Sequence, residues 1–324
     1  MRESTLAPRK LTLVAAFAAL YIIWGSTYLG ILFAIKSIPP LLMAGSRFLL
    51  AGVIMYLIAL WQGTPRSSWA EWRVAFLVGA CLLFCGNGSV TIAEQWVPSG
   101  LASLLVATVP IYIALLAWLS GGAPRPAPLV LLGLAGGFVG VGVLVGPALT
   151  APTAGGSQHA GLGMLILLFG SLLWSIGSLY SRRARGTASP FLSSAQTMLC
   201  GGGLMFLAGL GRGEGRDFHL NQVTALSLGA FAYLVLIGAV VGYTAYIWLL
   251  RHCDPSKVAT YAYVNPVVAV LLGAFFAGET LTLRTAVAAA IIVGSVALVI
   301  TAQQRKEKIP LLSRPQLHKR TETG

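Results

Sequence analysis

The sequence has few charged residues and very few acidic ones. Only 10% of its 324 residues are Asp, Glu, Lys or Arg, and nine are acidic, whereas roughly a quarter of the residues of a soluble domain are charged. Hydrophobic residues make up 56% of the chain, and the mean hydropathy is +0.81. A chain of this composition lacks the polar surface of a soluble protein and is predicted to lie in a lipid bilayer.

The sequence also lacks the motifs of metal, nucleotide and catalytic sites. Cys81 and Cys85 share a helix face, but no histidine or second CxxC motif accompanies them. The glycine-rich stretch 133–146 lacks GxGxxG, and no Walker A sequence is present. The glycine spacings in that stretch are typical of helix packing. We therefore predict no cofactor, no metal, no catalytic residues and no direct use of ATP.

Apolar runs account for most of the chain. A membrane-spanning helix needs about 20 apolar residues, and runs near that length occupy 11–35, 41–61, 74–93, 99–119, 128–146, 160–180, 191–210, 225–250, 257–277 and 281–301. This pattern predicts an all-α membrane protein of ten transmembrane helices. The first run is too long for the core of a signal peptide, so we interpret it as a span.

The basic residues between these runs predict the orientation. If the N-terminus is inside, the inner connections and the two ends hold most of the 22 Lys and Arg residues. The opposite connections hold only Lys36, Arg212, Arg216 and Arg284. Because cytoplasmic loops are rich in Lys and Arg, both termini are predicted to be cytoplasmic. This topology explains the net charge of +13 better than a nucleic-acid partner does.

Short sequence matches recur at an offset of five spans. Trp24 in the first run matches Trp174 in the sixth, and Pro98-Ser99 before the fourth run matches Pro255-Ser256 before the ninth. Because five is odd, the two halves are predicted to be inverted repeats, as in many secondary transporters. The predicted division is a first five-helix repeat at 1–149, a periplasmic linker at 150–159, a second repeat at 160–302 and a basic, disordered cytoplasmic tail at 303–324.

Prolines and polar groups near the bilayer midplane suggest a substrate site. Pro110 and Pro266 lie at matching places, and each frees a backbone carbonyl that needs a protein or water partner. A kink that only shapes the bundle is the alternative. For the two tryptophans, simple packing is the alternative to a place in a cavity. We predict that a cavity is lined by these residues of both halves: Trp24, Asn87, Pro110, Trp174, Tyr261, Tyr263, Asn265 and Pro266.

Three charged residues near the outer ends of the spans have more than one interpretation each. Arg47 lies inside the second span and Glu94 ends the third. The two could form a structural ion pair, Arg47 could extend to the outer interface, or they could recognise a substrate carboxylate. Glu279 begins the turn before the last span, where capping that helix is the simpler prediction and gating the other. No Asp, Glu or His lies clearly at the midplane, so facilitated diffusion and ion coupling through Glu94 or Glu279 both stay open.

Five segments of the sequence are familiar when taken together. They are YIIWGSTY at 21–28, the PP…AGSRF segment at 39–48, VPSG at 97–100, YAYVNPVVAV at 261–270 and GETL at 278–281. They resemble the EamA-type transporters of the drug/metabolite transporter superfamily, and within it the YedA-like bacterial exporters. One departure is the sequence Gly-Gly-Ala-Pro at 121–124, where many relatives have a glutamate.

The resemblance extends to about residue 302 and implies a function. It implies a multi-pass inner-membrane exporter of amino acids, related metabolites or drugs, which works by alternating access around a cavity between the halves. The implied partners are a small-molecule substrate and the lipid bilayer, with proton or other ion coupling possible. A membrane-embedded lipid-modifying enzyme would need clustered histidines and carboxylates, and the four histidines are scattered. A non-transporting scaffold would not require matched midplane prolines.

Overall fold

The computed structural model describes residues 10–65, 67–121, 126–150, 159–184, 189–216, 218–253, 258 and 260–308. Within these ranges the chain is helical and has no β-strand. The long helices are α1 (Lys10–Ala34), α2 (Pro40–Trp61), α3 (Trp69–Ala93), α4 (Ser99–Leu119), α5 (Pro128–Thr150), α6 (Ala160–Arg183), α7 (Pro190–Gly211), α8 (Ala225–Tyr233 continuing through Leu234–Val241 and Gly242–His252), α9 (Tyr261–Ala277) and α10 (Leu283–Lys308).

These helices confirm the prediction of an all-α protein with many membrane spans. Eight of them are long and apolar enough to cross a membrane. The other two, α5 and α9, contain the shorter apolar stretches Pro128–Val143 and Val264–Ala277. The last helix continues to Lys308, past the predicted start of the tail at residue 303. The rest of the predicted tail and nearly all of the predicted linker lie outside the described residues.

Local sequence signals fix where several helices begin. Proline is the first residue of α2 and of α7, a position where its missing N–H costs nothing. Ser68 and Glu71 form a capping box at the start of α3, in which each side chain accepts a hydrogen bond from the other residue's backbone N–H. The Thr224 hydroxyl caps α8 by accepting a hydrogen bond from the Ser227 N–H.

Two helices contain a stretch of π-helix, which the sequence pattern did not predict. The stretch is Ala80–Asn87 in α3 and Leu234–Val241 in α8. Each is followed directly by a glycine, Gly88 or Gly242. A π-helical turn is wider than an α-helical turn and is frequent at functional sites. Both helices therefore change their side-chain register midway through the bundle.

The two matched prolines have different local structures. Residues Ala107 and Thr108 interrupt α4, and Pro110 lies in the first turn of the segment that follows, Val109–Leu119. The Thr108 hydroxyl donates to the carbonyl oxygen of Leu105 across this interruption, at 2.6 Å. In contrast, Pro266 lies inside the continuous helix α9. The sequence repeat therefore does not carry over into identical backbone geometry.

Contacts between helices relate the first five to the last five. Helix α2 packs against α7, and α5 packs against α10. Helix α1 packs against α8 and α9, while α6 packs against α3 and α4. If each helix of the first five is replaced by the helix five places later, and the reverse, every contact in this set becomes itself or another contact of the set. The fold therefore has two five-helix halves, α1–α5 and α6–α10, with equivalent partners.

The α2–α7 contact is a close approach of two backbones at small residues. A Cβ atom at Gly45 would lie 2.5 Å from the Phe206 backbone nitrogen, and one at Gly202 would lie 2.9 Å from the backbone nitrogen of Leu49. Helices in membranes approach closely where small residues face each other. Helix α2 and helix α7 therefore form a tightly packed pair that joins the two halves.

This packing predicts the effect of one added methyl group. We expect Gly45→Ala to destabilise the purified protein by about 1–3 kcal/mol, because the new Cβ forces the backbones apart. Gly203→Ala in α7 is the matched control, since a Cβ there meets no atom within 4 Å. Thermal unfolding in detergent should show a lower Tm for Gly45→Ala only. Equal Tm values for the two variants would contradict the close contact.

Candidate functional site

The side chain of an arginine on α2 is buried against α3. Arg47 is 4% exposed, and its Nη2 donates a hydrogen bond to Oδ1 of Asn87 at the end of the π-helical stretch. Its guanidinium carbon also lies 4.3 Å from the centre of the Phe48 ring. Among the described residues, no hydrogen-bond partner reaches its Nε. The structure thus brings together two of the predicted site residues, Arg47 and Asn87, and leaves one N–H of the arginine unused.

Glu94 lies in the turn directly after α3 and is almost completely buried. It is 3% exposed, and within the described part of the chain neither carboxylate oxygen has a hydrogen-bond partner. Burial raises the pKa of Glu94 well above its usual value, the nearby Glu279 adds to the rise, and Arg47 opposes it. Arg47 and Glu94 therefore act on each other's charge without forming a hydrogen-bonded pair.

Glu279 binds the start of α4, not the start of α10. One of its carboxylate oxygens accepts hydrogen bonds from the N–H and the hydroxyl of Ser99 at 2.6 and 2.7 Å, and the other accepts from the Gly100 N–H at 3.0 Å. The prediction that Glu279 caps the last helix is therefore wrong. That helix is capped by Thr282, whose hydroxyl accepts from the N–H of Thr285 at 3.1 Å.

The chain reversal after α9 explains this placement. Gly278 has a φ of 66°, in the left-handed region that glycine adopts easily. The reversal directs the next residue, Glu279, back past Gly273, where an added Cβ would lie 2.4 Å from Oε2. The carboxylate thereby reaches the positive end of a helix from the other half. No short-range sequence signal distinguishes this partner from the start of α10.

A second glutamate makes the same kind of contact. Oε2 of Glu214, which follows α7, accepts hydrogen bonds from the N–H groups of Leu41 and Leu42 at the start of α2, each at 3.0 Å. Close by, the Thr224 N–H donates to the Ser37 hydroxyl at 3.1 Å. We call the end of the bundle that carries Glu94, Glu214 and Glu279 the glutamate face. On this face, Glu214 and Glu279 of the second half bind backbone N–H groups of the first.

Four aromatic side chains form a cluster between α1, α8 and α9. The Trp24 ring centre lies 5.4 Å from that of Tyr243, 5.1 Å from that of Tyr246 and 4.9 Å from that of Tyr261. Trp24 and Tyr261 are predicted site residues, whereas the sequence analysis missed Tyr243 and Tyr246. Their spacing of three residues puts both on one side of α8. That spacing, near the end of the apolar run 225–250, is the signal that could have identified them.

Each of the two matched tryptophans packs on a glycine of the opposite half. A Cβ at Gly242 would lie 2.6 Å from Nε1 of Trp24, and a Cβ at Gly86 would lie 2.7 Å from Cε3 of Trp174. Both glycines lie in or next to the π-helical stretches. The tryptophans therefore occupy equivalent positions in the interface between the halves, and both are partly buried there.

The other predicted cavity residues have separate partners. The side chain of Asn265 is 8% exposed, and its amide nitrogen is placed to donate to the carbonyl oxygens of Tyr261 and Tyr21 at 3.2 and 3.3 Å, which links α9 to α1. Beside Pro110, the carbonyl of Val109 accepts a hydrogen bond from the Ser175 hydroxyl of α6 at 3.3 Å. The buried Pro266 follows Asn265 in α9. The side chain of Tyr263 lies outside the described residues.

The cap at α4 gives a testable consequence. We expect Glu279→Ala to cost about 1–2 kcal/mol, as the loss of a helix cap does. Hydrogen exchange measured by mass spectrometry should then show reduced protection at the start of α4 and unchanged protection at the start of α10. The adjacent, exposed Thr280 provides the control variant Thr280→Ala, which should alter neither region. Loss of protection at α10 instead of α4 would contradict the assignment.

Two five-helix halves with spanning helices, and with charged and aromatic side chains buried between them, define a membrane transporter of repeat architecture. The chain matches the EamA-like transporter family over residues 11–146 and 161–301. It belongs to this family, as the resemblance in sequence predicts. The family is one of transporters, so the chain is a transporter rather than an enzyme.

Known relatives agree with this assignment over nearly the full length. The chain is 39% identical to the Escherichia coli (strain K12) protein called uncharacterized inner membrane transporter YedA. The match extends over 295 residues, which are 89% of this chain and 90% of the relative. The chain is 26% identical over 298 residues to the uncharacterized transporter YvbV of Bacillus subtilis, covering 90% and 92%. A protein of known crystal structure, 20% identical, has the same fold with a TM-score of 0.62, over 91% of this chain and 100% of that one.

Proposed function

We propose that the protein is a secondary transporter that exports small amphipathic metabolites from a bacterial cell. Amino acids, related compounds and drugs form the expected substrate class. Its ten helices cross the inner membrane as two inverted repeats, 1–149 and 160–302, joined by a periplasmic linker at 150–159. Both termini lie in the cytoplasm, and the basic tail follows at 303–324. The glutamate face is then the periplasmic one, because the opposite connections hold most of the basic residues.

The observation that carries this proposal is the pairing of a charged cluster with an aromatic cluster. Arg47 and Asn87 offer N–H groups to the charged part of a solute. The Trp24 cluster offers ring faces to its apolar part. Both clusters border α1 and α8, which belong to different halves. Sites for small molecules typically combine a mostly apolar lining with a few placed polar groups.

The predicted cavity residues receive distinct roles in this proposal. Trp24 and Tyr261 contact the apolar part of the solute, and Trp174 provides the corresponding surface in the other half. Asn87 positions Arg47 for the charged part. Pro110, Asn265 and Pro266 are proposed to border the cavity where α4 packs on α6 and α9 packs on α1. Tyr263 is proposed from its place in the sequence alone.

The glutamate face is the proposed periplasmic gate. Glu279 and Glu214 of the second half hold helix starts of the first half by hydrogen bonds to backbone N–H groups. Water can replace such contacts at low cost once the face opens, because both the carboxylates and the N–H groups are then solvated. Alternating access consists of breaking these contacts while the cytoplasmic end closes.

Exchange of labelled solutes across vesicles tests the function. We expect the purified protein in proteoliposomes to exchange at least some of a panel of labelled amino acids against the same unlabelled solute. Asn265→Ala should slow this exchange about tenfold or more, because the link between α9 and α1 is lost. Asn221→Ala, at an exposed position before α8, is the control and should exchange normally. If no solute exchanges in the unaltered protein under any ion gradient, the proposed function is wrong.

Cross-linking the gate tests the mechanism. The hydroxyls of Ser37 and Thr224 lie 3.4 Å apart across the two halves. In a chain whose four cysteines are replaced by alanine, we expect Ser37→Cys with Thr224→Cys to stop exchange when cross-linked by a short bifunctional thiol reagent with a reducible link. Reduction should restore exchange, and each single cysteine variant should be unaffected. Undiminished exchange in the fully cross-linked protein would contradict a gate at this face.

A further inference from the structure

Glu94 differs from the other two glutamates of the glutamate face. Glu214 and Glu279 each accept hydrogen bonds from backbone N–H groups at a helix start. Glu94 is buried to the same extent as a core leucine, and both of its oxygens lack a hydrogen-bond partner within the described residues. An ionised carboxylate without partners in a buried site is strongly unfavourable, and such a group takes up a proton instead.

The surroundings of Glu94 contain groups of both signs. Arg47 of α2 favours its ionised form, and Glu279 of the α9–α10 turn disfavours it. The phenol of Tyr28, on α1, interacts with the same carboxyl. On the α6 side, the ring of His159 lies next to that of Trp96, with ring centres 5.4 Å apart. Trp96 follows Glu94 by two residues. Arg47 donates to Asn87, and neither oxygen of Glu94 accepts a hydrogen bond from it in the described structure.

We propose that Glu94 is a proton-binding site that couples the movement of a proton to the closing of the glutamate face. While the carboxyl is closed off from water on both sides of the membrane, it carries the proton, because no N–H group within the described residues bonds to it and no solvent is available to a negative charge. With the carboxyl open to water, the proton leaves to a water molecule and the carboxylate is stabilised by solvent and by Arg47. No covalent bond other than the O–H bond changes, and hydronium is the only ligand required.

This inference rests on the proposed transport function and supplies its driving force. A proton that binds from the periplasm before the face closes, and leaves after the cytoplasmic end opens, exchanges for the exported solute. A gradient of one pH unit corresponds to a tenfold ratio of proton activity. A one-for-one exchange can therefore concentrate the solute about tenfold against its own gradient at equilibrium.

The test separates exchange from gradient-driven transport in proteoliposomes. The probe is the set of labelled amino acids that the unaltered protein exchanges at equal pH. We expect a pH gradient of one unit to drive severalfold accumulation by the unaltered protein and by Glu94→Asp, which keeps a titratable group. Glu94→Gln should still exchange at equal pH but should accumulate nothing under the gradient. Glu71→Gln, in the capping box at the opposite end of α3, is the control and should behave like the unaltered protein.

The outcomes distinguish this inference from the proposed function. Accumulation by Glu94→Gln equal to that of the unaltered protein would overturn the role of Glu94. Exchange without any response to the gradient in the unaltered protein would overturn proton coupling and leave the transport function standing. If Glu94→Gln does not fold, infrared difference spectroscopy decides instead. The carbonyl band of a protonated carboxyl in the unaltered protein should shift in Glu94→Asp, and the absence of such a band at neutral pH would overturn the inference.

Discussion

The hydrogen bonds between carboxylates of one half and helix starts of the other are the interactions on which the structure of the glutamate face depends. The first N–H groups of a helix have no partner inside the helix, and a bilayer offers none. Glu279 supplies acceptors for α4, and Glu214 supplies them for α2. Because each donor and its acceptor lie in different halves, satisfying the backbone at this face also joins the halves.

The rest of the interface between the halves is held in a different way. Helices α2 and α7 meet backbone to backbone at glycines such as Gly45, and α5 and α10 meet at glycines such as Gly133. These contacts are short, apolar and extended along the helices, so separating them would leave unfilled space. The flanks of the bundle are therefore suited to stay packed, while the polar contacts at the glutamate face are suited to open.

The distribution of polar side chains is not symmetric, although the helix contacts are. The first half contributes the buried charges Arg47 and Glu94, and the second half contributes Tyr243, Tyr246 and Tyr261 to the aromatic cluster. The two halves therefore contribute different chemistry to their interface. In the proposed function, this difference selects amphipathic solutes.

Sequence reasoning located the helices because long apolar runs are a strong and local signal. It also paired Trp24 with Trp174, and each lies on a glycine of the opposite half. It assigned Glu279 to the wrong helix, because the nearest helix start in sequence is not the nearest in space. The π-helical stretches leave no period in the sequence, so the sequence could name Asn87 as a site residue but could not predict its hydrogen bond with Arg47. The matched prolines illustrate the same limit, since Pro110 follows a break and Pro266 does not.

The central claim is that the glutamate face opens while the opposite end closes. Spin labels at Lys36 and Leu220, both exposed and in different halves, report on the glutamate face, and labels at the exposed Trp69 and Arg183 report on the other end. Double electron–electron resonance in lipid nanodiscs should give two distances for each pair. Conditions that populate the longer distance at one end should populate the shorter distance at the other. A single, unchanging distance at both ends, in a protein that still exchanges solute, would contradict the account.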